Sequence, residues 1–133
     1  MLLNERDSRR ERLLQVADAM ATAARTAPKG KGFDLIEILI VTDENITELS
    51  AEMVKYSEKS GLKFFLRDAE NLQHAEAVIL IGTKSQTHGL NCGYCGFATC
   101  NEKQEQPDIP CSLNSVDVGI AIGSACATAA DMR

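Results

Sequence analysis

The decapeptide NCGYCGFATC, from Asn91 to Cys100, packs three thiols between glycines and aromatics, and a fourth thiol follows at Cys111. Together Cys92, Cys95, Cys100 and Cys111 give the pattern C-x2-C-x4-C-x10-C. A loop with thiols this close can wrap an ion or a cluster, and the more distant cysteine closes the cage. Iron–sulfur clusters are commonly held in this way, several thiolates coming from one loop and one from elsewhere. Gly93 and Gly96 directly follow Cys92 and Cys95. Lacking a Cβ, they allow backbone N–H groups to turn toward sulfur and spread its negative charge.

Other uses of the thiols stay open at this point. Zinc also takes four thiolates, but structural zinc sites usually pair two short knuckles, and here one knuckle is followed by single cysteines. A thioredoxin-like C-x-x-C at Cys92 and Cys95 leaves Cys100 and Cys111 unexplained. A disulfide framework is disfavoured because the five cysteines cannot all pair and because the chain reads as cytoplasmic, where thiols stay reduced. The cytoplasmic reading rests on the start, MLLNERDSRRER, whose charge leaves no room for a secretory leader, and on the lack of an apolar run near the roughly 20 residues that cross a membrane. His88 precedes Cys92 by four residues and is a lesser ligand candidate, since four thiolates already satisfy a cluster; His74 reads as a surface or helix-end residue.

With 133 residues the chain is expected to form a single domain able to bury its own core. The net charge of −5 argues against a nucleic-acid partner, and the basic run Arg6, Arg9, Arg10 and Arg12 reads as a solvated helix face. Apolar spacing predicts a helix from Asn4 to Ala27, ended by Pro28 and the PKGKG turn. Leu35 to Val41 and Ala77 to Thr83 are β-branched apolar runs that predict core strands, covered on both faces. Between them a helix capped by Thr42 or Asp43 stops at Gly61, and a short helix is expected from Arg67 to Ala75. One helical turn is expected after Phe97. A final helix from Asn114 or Ser115 reaches Arg133 without a stop signal, which reads as an incomplete C-terminus or a homodimer contact. The expected class is α+β, a central sheet flanked by helices, with a cysteine-rich binding loop over about 90–111.

The final helix carries Gly119, Gly123, Cys126, Ala127 and Ala130 on one side. That smooth face predicts tight packing against another element or contact with a flat cofactor. Cys126 is expected to pack there as a small hydrophobe, whereas Pro110 holds Cys111 in the extended chain that suits a rigid ligand.

The segments APKGKG, IVT, FFLRDAENLQHAEAVILIG, LNCGYCGFATC and PCSLNSVDVGIAIGSACATAADM together resemble a family of uncharacterised bacterial and archaeal proteins described as containing a ferredoxin domain. The string Cys92-Gly93-Tyr94-Cys95-Gly96 with Cys100 is similar to the four-iron module of corrinoid iron–sulfur proteins and of membrane-bound electron-transfer subunits. That resemblance implies a [4Fe-4S] cluster on Cys92, Cys95, Cys100 and Cys111. A weaker resemblance is to the flavin-dependent nitroreductase fold, through Ala27-Pro28 before a core strand and Asp117-Val118-Gly119 opening a small-residue helix; its Arg-Ser-x-Arg phosphate signature is absent.

Three functions are therefore expected to compete. The first is a small iron–sulfur redox protein serving an unknown partner protein, with Glu102, Glu105 and Asp108 near the cluster holding its potential low. The second is an FMN oxidoreductase with an auxiliary cluster, Lys29 or Lys31 lying near the flavin phosphate. The third is a noncatalytic module stapled by zinc.

Overall fold

The computed structural model describes residues 1–132 and has an α+β fold. Helix α1 (Glu5–Thr26) leads through a 3-10 turn (Gly30–Gly32) into strand β1 (Ile36–Thr42). Helices α2 (Glu44–Ser60) and α3 (Phe64–Leu72) follow, then strand β2 (Ala77–Thr83). The cysteine loop, the short helix α4 (Cys100–Gln104) and the long helix α5 (Ser112–Met132) complete the described chain. β1 and β2 form a two-stranded sheet, and the Lys84 N–H bonds the Leu35 carbonyl at 3.0 Å, which sets the end of β2 against the start of β1 in antiparallel sense.

The contacts divide the chain into two compact units, Met1–Asp18 with Ile40–Ile79 and Ala19–Leu39 with Leu80–Arg133. The first is organised by α2 and α3. The buried Ser50 hydroxyl donates to the Ala69 carbonyl at 2.7 Å, and Tyr56 meets Phe65 edge-on at 5.0 Å. Gly61 ends α2 in the left-handed region at φ 75°, its N–H closing on the Ser57 carbonyl at 2.8 Å, as its position predicted. Asp43 precedes α2 at φ 56° but makes no side-chain cap. Its carboxylate is taken by both contacts of Arg10 at 2.6 and 2.7 Å, so one arginine of the basic N-terminal run is spent inside this unit.

The second unit has a core of small side chains. Ala24, Ala27, Ala121 and Ala125 are buried together, with Met20, Ile38 and Ile81 packed around them. Alanine permits close backbone approach without loss of side-chain entropy, so a compact core forms from little apolar volume.

Two expectations of packing fail. Leu39 is 63% exposed, and Ile40 and Leu80 are also open, so the strands lie where predicted but lack cover on both faces. An unbroken apolar run implies such cover only where enough helices are available to supply it. On α5, the buried face is Asn114, Asp117, Ala121 and Ala125; Gly119, Gly123, Cys126, Ala127 and Ala130 are exposed. Burial follows the stripe that combines alanines with two polar anchors, because those polar groups find partners inside. Cys126 accordingly does not pack as a core thiol. By length and composition alone α5 is also apolar enough to cross a membrane, which the scattered apolar letters did not suggest, although it carries the buried Asn114 and Asp117. The expected extension of this helix to Arg133 lies outside the described residues.

This assignment of faces has a direct consequence. A Cβ at Gly123 meets nothing within 4 Å, so Gly123→Ala should stabilise the chain by roughly 0.5–1 kcal/mol through helix propensity. Ala121, fully buried, should not accept Leu, and Ala121→Leu should cost about 1–3 kcal/mol by overpacking. Urea unfolding of the two variants against the parent chain checks both signs; a smooth face packed as first expected would reverse the result for Gly123.

Candidate functional site

The cysteine loop is hung from the polar stripe of α5. Asn114 donates its side-chain amide to the Gln86 and Lys84 carbonyls, pinning the segment that leaves β2. One turn later, buried Asp117 accepts the Gly30 N–H on both carboxylate oxygens, at 2.9 and 3.1 Å. Its Oδ2 also stands 3.1 Å from Nε2 of His88. That approach is off the line of a hydrogen bond, and both ring nitrogens of the buried His88 are left without a hydrogen-bond partner among the described residues. Phe33 meets the imidazole edge-on at 6.2 Å. Gly30 fits closely here, since a Cβ would come within 3.2 Å of His88 Nε2 and the imidazole would have to give by a few tenths of an ångström. Thus His88, a lesser ligand candidate in the sequence, is wedged between the PKGKG turn and α5.

Beyond His88 the backbone turns repeatedly through the left-handed region, at Gly89 (φ 71°), Asn91 (φ 49°), Gly93 (φ 73°) and Gly96 (φ 89°). Glycine adopts that region without strain and asparagine tolerates it better than most residues. Alternating hands of this kind aim successive N–H groups to the same side and form an anion-binding concavity. One sulfur receives them. The Asn91 N–H donates to Sγ of Cys100 at 3.3 Å, and the Cys100 N–H returns a bond to Asn91 Oδ1 at 2.8 Å. The Cys100 thiol is thereby held below the ordinary thiol range, first by the Asn91 N–H, against partial burial, with further help from the Thr87 hydroxyl and the Gly89 and Leu90 N–H groups.

Thr99 caps α4 by accepting the Glu102 N–H at 3.2 Å, and the Glu102 carboxylate accepts the Ala98 N–H at 3.2 Å. Glu102 therefore closes the start of this helix, a local duty that its place in a run of acids concealed.

The four candidate ligands Cys92, Cys95, Cys100 and Cys111 line one pocket, together with His88 and Lys103. Cys126 does not line it. Cys111 is buried, Cys95 and Cys100 half-buried and Cys92 exposed, and all five cysteines are free thiols. The side chains are not gathered into one coordination sphere: among the described residues no three His, Cys, Asp or Glu side chains are placed to share an ion. The donor set still fits a four-thiolate group in kind: the four cysteines line one concavity, and backbone N–H groups are turned toward the sulfur of Cys100. The two lysines of the PKGKG turn are placed differently. Lys29 bonds the Ala24 and Arg25 carbonyls at the end of α1, and exposed Lys31 occupies the turn at φ 59°. His74 is exposed just past α3.

No family model and no solved structure matches the chain. A protein of Archaeoglobus fulgidus described only as uncharacterized is 44% identical over 133 residues, covering 94% of this chain and 72% of that relative. The chain belongs to the family of this archaeal protein. The shared family carries no stated activity, so the reading of function rests on the thiol pocket.

Sequence reasoning missed Asn91, Lys103 and the liganding of Gly30 by Asp117. Asn91 had a local signal, an asparagine in a glycine-rich turn beside a cysteine; the other two are long-range contacts with none.

Two outcomes test this geometry. In the apo chain, alkylation of Cys100 by iodoacetamide, followed peptide by peptide, should reach half-maximal rate at lower pH than in the urea-unfolded chain, because a lowered pKa populates the thiolate at lower pH. Asp117→Ala strands the Gly30 N–H in a half-buried turn and should cost about 1–3 kcal/mol in urea unfolding.

Proposed function

We propose that this chain is an iron–sulfur redox protein in which Cys92, Cys95, Cys100 and Cys111 hold a [4Fe-4S] cluster and exchange single electrons with a partner protein. The observation that carries the reading is that these four thiols border one pocket whose wall is a loop of left-handed turns with N–H groups directed at sulfur. When bound, the cluster supplies one-electron chemistry. The residues of the chain have simpler duties. Cys111, buried, brings the distant fourth thiolate to the loop. Asn91 holds Cys100 through two reciprocal bonds, which limits rearrangement between redox states. Gly93 and Gly96 supply the dihedrals that let Cys92 and Cys95 face one concavity. Zinc on the same four thiolates is the second reading, favoured by the same donor set.

Anaerobic preparation separates the readings. The chain should carry about four irons and about four acid-labile sulfides and show broad visible absorption that bleaches with dithionite. A colourless protein with one zinc would establish the structural module, and two resolved yellow bands released as free FMN would establish the flavin reading. Within the cluster reading, Cys111→Ser should remove or destabilise the iron, while Cys126→Ala should leave it in place, since Cys126 is exposed on α5 and does not line the pocket. The opposite pattern moves the fourth ligand to the final helix.

A further inference from the structure

Lys103 has the largest fully buried side chain in the described protein, at 1% exposure. It extends from α4, a helix whose first residue is Cys100. Buried ammonium groups are rare, and those found are paired with an anion, because desolvation of an isolated charge is costly. Among the described residues no carboxylate lies within ion-pair distance of Lys103, and every ion pair is made by other cations. What it shares with the candidate ligands is a pocket wall. Lys103 lines the pocket shared by Cys92, Cys95, Cys100 and Cys111, and it lines a second pocket that again contains Cys111, together with Asp108, which is not within ion-pair distance of it.

From this placement we propose that Lys103 is the built-in countercharge of the thiolate centre, a positioning residue that makes its reduced state easier to reach. The inference rests on the cluster reading above. Four thiolates give the centre a net negative charge, and each added electron deepens it. A fixed positive charge inside the same low-dielectric wall interacts more strongly with the more negative state, so it favours electron uptake. This opposes the acid-rich sequence 102–108, in which Glu102 is already engaged in closing α4. The electron comes from an external one-electron donor, and no bond in the protein is made or broken.

The test compares the anaerobically reconstituted parent chain with Lys103→Met, Lys103→Gln and Lys103→Arg. Iron and sulfide content are measured for each, and the midpoint potential is obtained by dithionite titration followed by EPR. Far-ultraviolet circular dichroism reports folding, and the glutamine variant stands in if methionine does not fold. The neutral variants should keep their iron and become harder to reduce by at least about tenfold in the one-electron equilibrium, which is about 59 mV more negative. Lys103→Arg should restore most of that difference. Loss of iron from the folded neutral variants with retention in Lys103→Arg also supports the countercharge. Neutral variants with full iron and an unchanged or more positive potential overturn it, as does an arginine variant no better than methionine. A parent chain that takes up no iron rejects the cluster reading itself, and with it this role of Lys103.

Discussion

A buried carboxylate organises the half of this protein that carries the thiols. Asp117 sits on the inner face of α5, takes the Gly30 N–H on both oxygens and faces the imidazole of His88. Three segments distant in sequence thus meet at one side chain. A buried carboxylate without donors would be costly, so the turn at Gly30 must keep its N–H on Asp117 for the helix to pack. The requirement passes outward. Gly30 packs closely on His88, where a Cβ would come within 3.2 Å of the imidazole, and the chain continues from His88 into the thiol loop. Asn114, one turn before Asp117, holds the Lys84–Gln86 backbone in the same manner. Polar anchoring of this kind specifies position where an alanine core cannot, since alanines have no shape to select one alignment over another.

From that anchor, the loop is ordered by its own backbone. Left-handed residues at 89, 91, 93 and 96 are interspersed with ordinary ones, and N–H groups from the first part of this segment reach the sulfur of Cys100. Asn91 and Cys100 close the ten-residue loop by exchanging bonds, so a sulfur receiving N–H groups is held by a residue that supplies one of them. The same device lowers the Cys100 thiol toward its anionic form, the form in which a thiol binds metal or donates as a nucleophile.

The strands, the long helices and the Gly61 stop were legible because each depends on a short-range rule: period, propensity or a left-handed residue. The spacing of the four cysteines, local apart from Cys111, led to the expectation of a thiolate cage; the fold places the four in the lining of one pocket without gathering them into a coordination sphere. What was not legible lies in contacts. Gly119, Gly123 and Cys126 mark a smooth helix face as plainly as Ala121 and Ala125 do, and only the partners of Asn114 and Asp117 decide which face turns inward. The apolar runs at Leu39, Ile40 and Leu80 carry no sign of how many helices are present to cover them. Lys29 and Lys31 look alike in PKGKG, yet one is bound to carbonyls at the end of α1 and the other sits exposed in the turn.

Charge near the thiols shows the same separation of composition from placement. The sequence around α4 is acidic, and acids near a negative centre would oppose adding electrons. In the fold, Glu102 turns to the Ala98 N–H, while the buried charge of the segment is the cation Lys103. Exposed charges are screened by water and salt, whereas a buried one acts through a medium of low dielectric. On the proposed role, one interior lysine outweighs carboxylates that stand in solvent. The net charge of the chain, −5, is a property of the whole molecule, and in the proposed role of Lys103 the sign that matters to the thiols comes from a single side chain in the pocket wall.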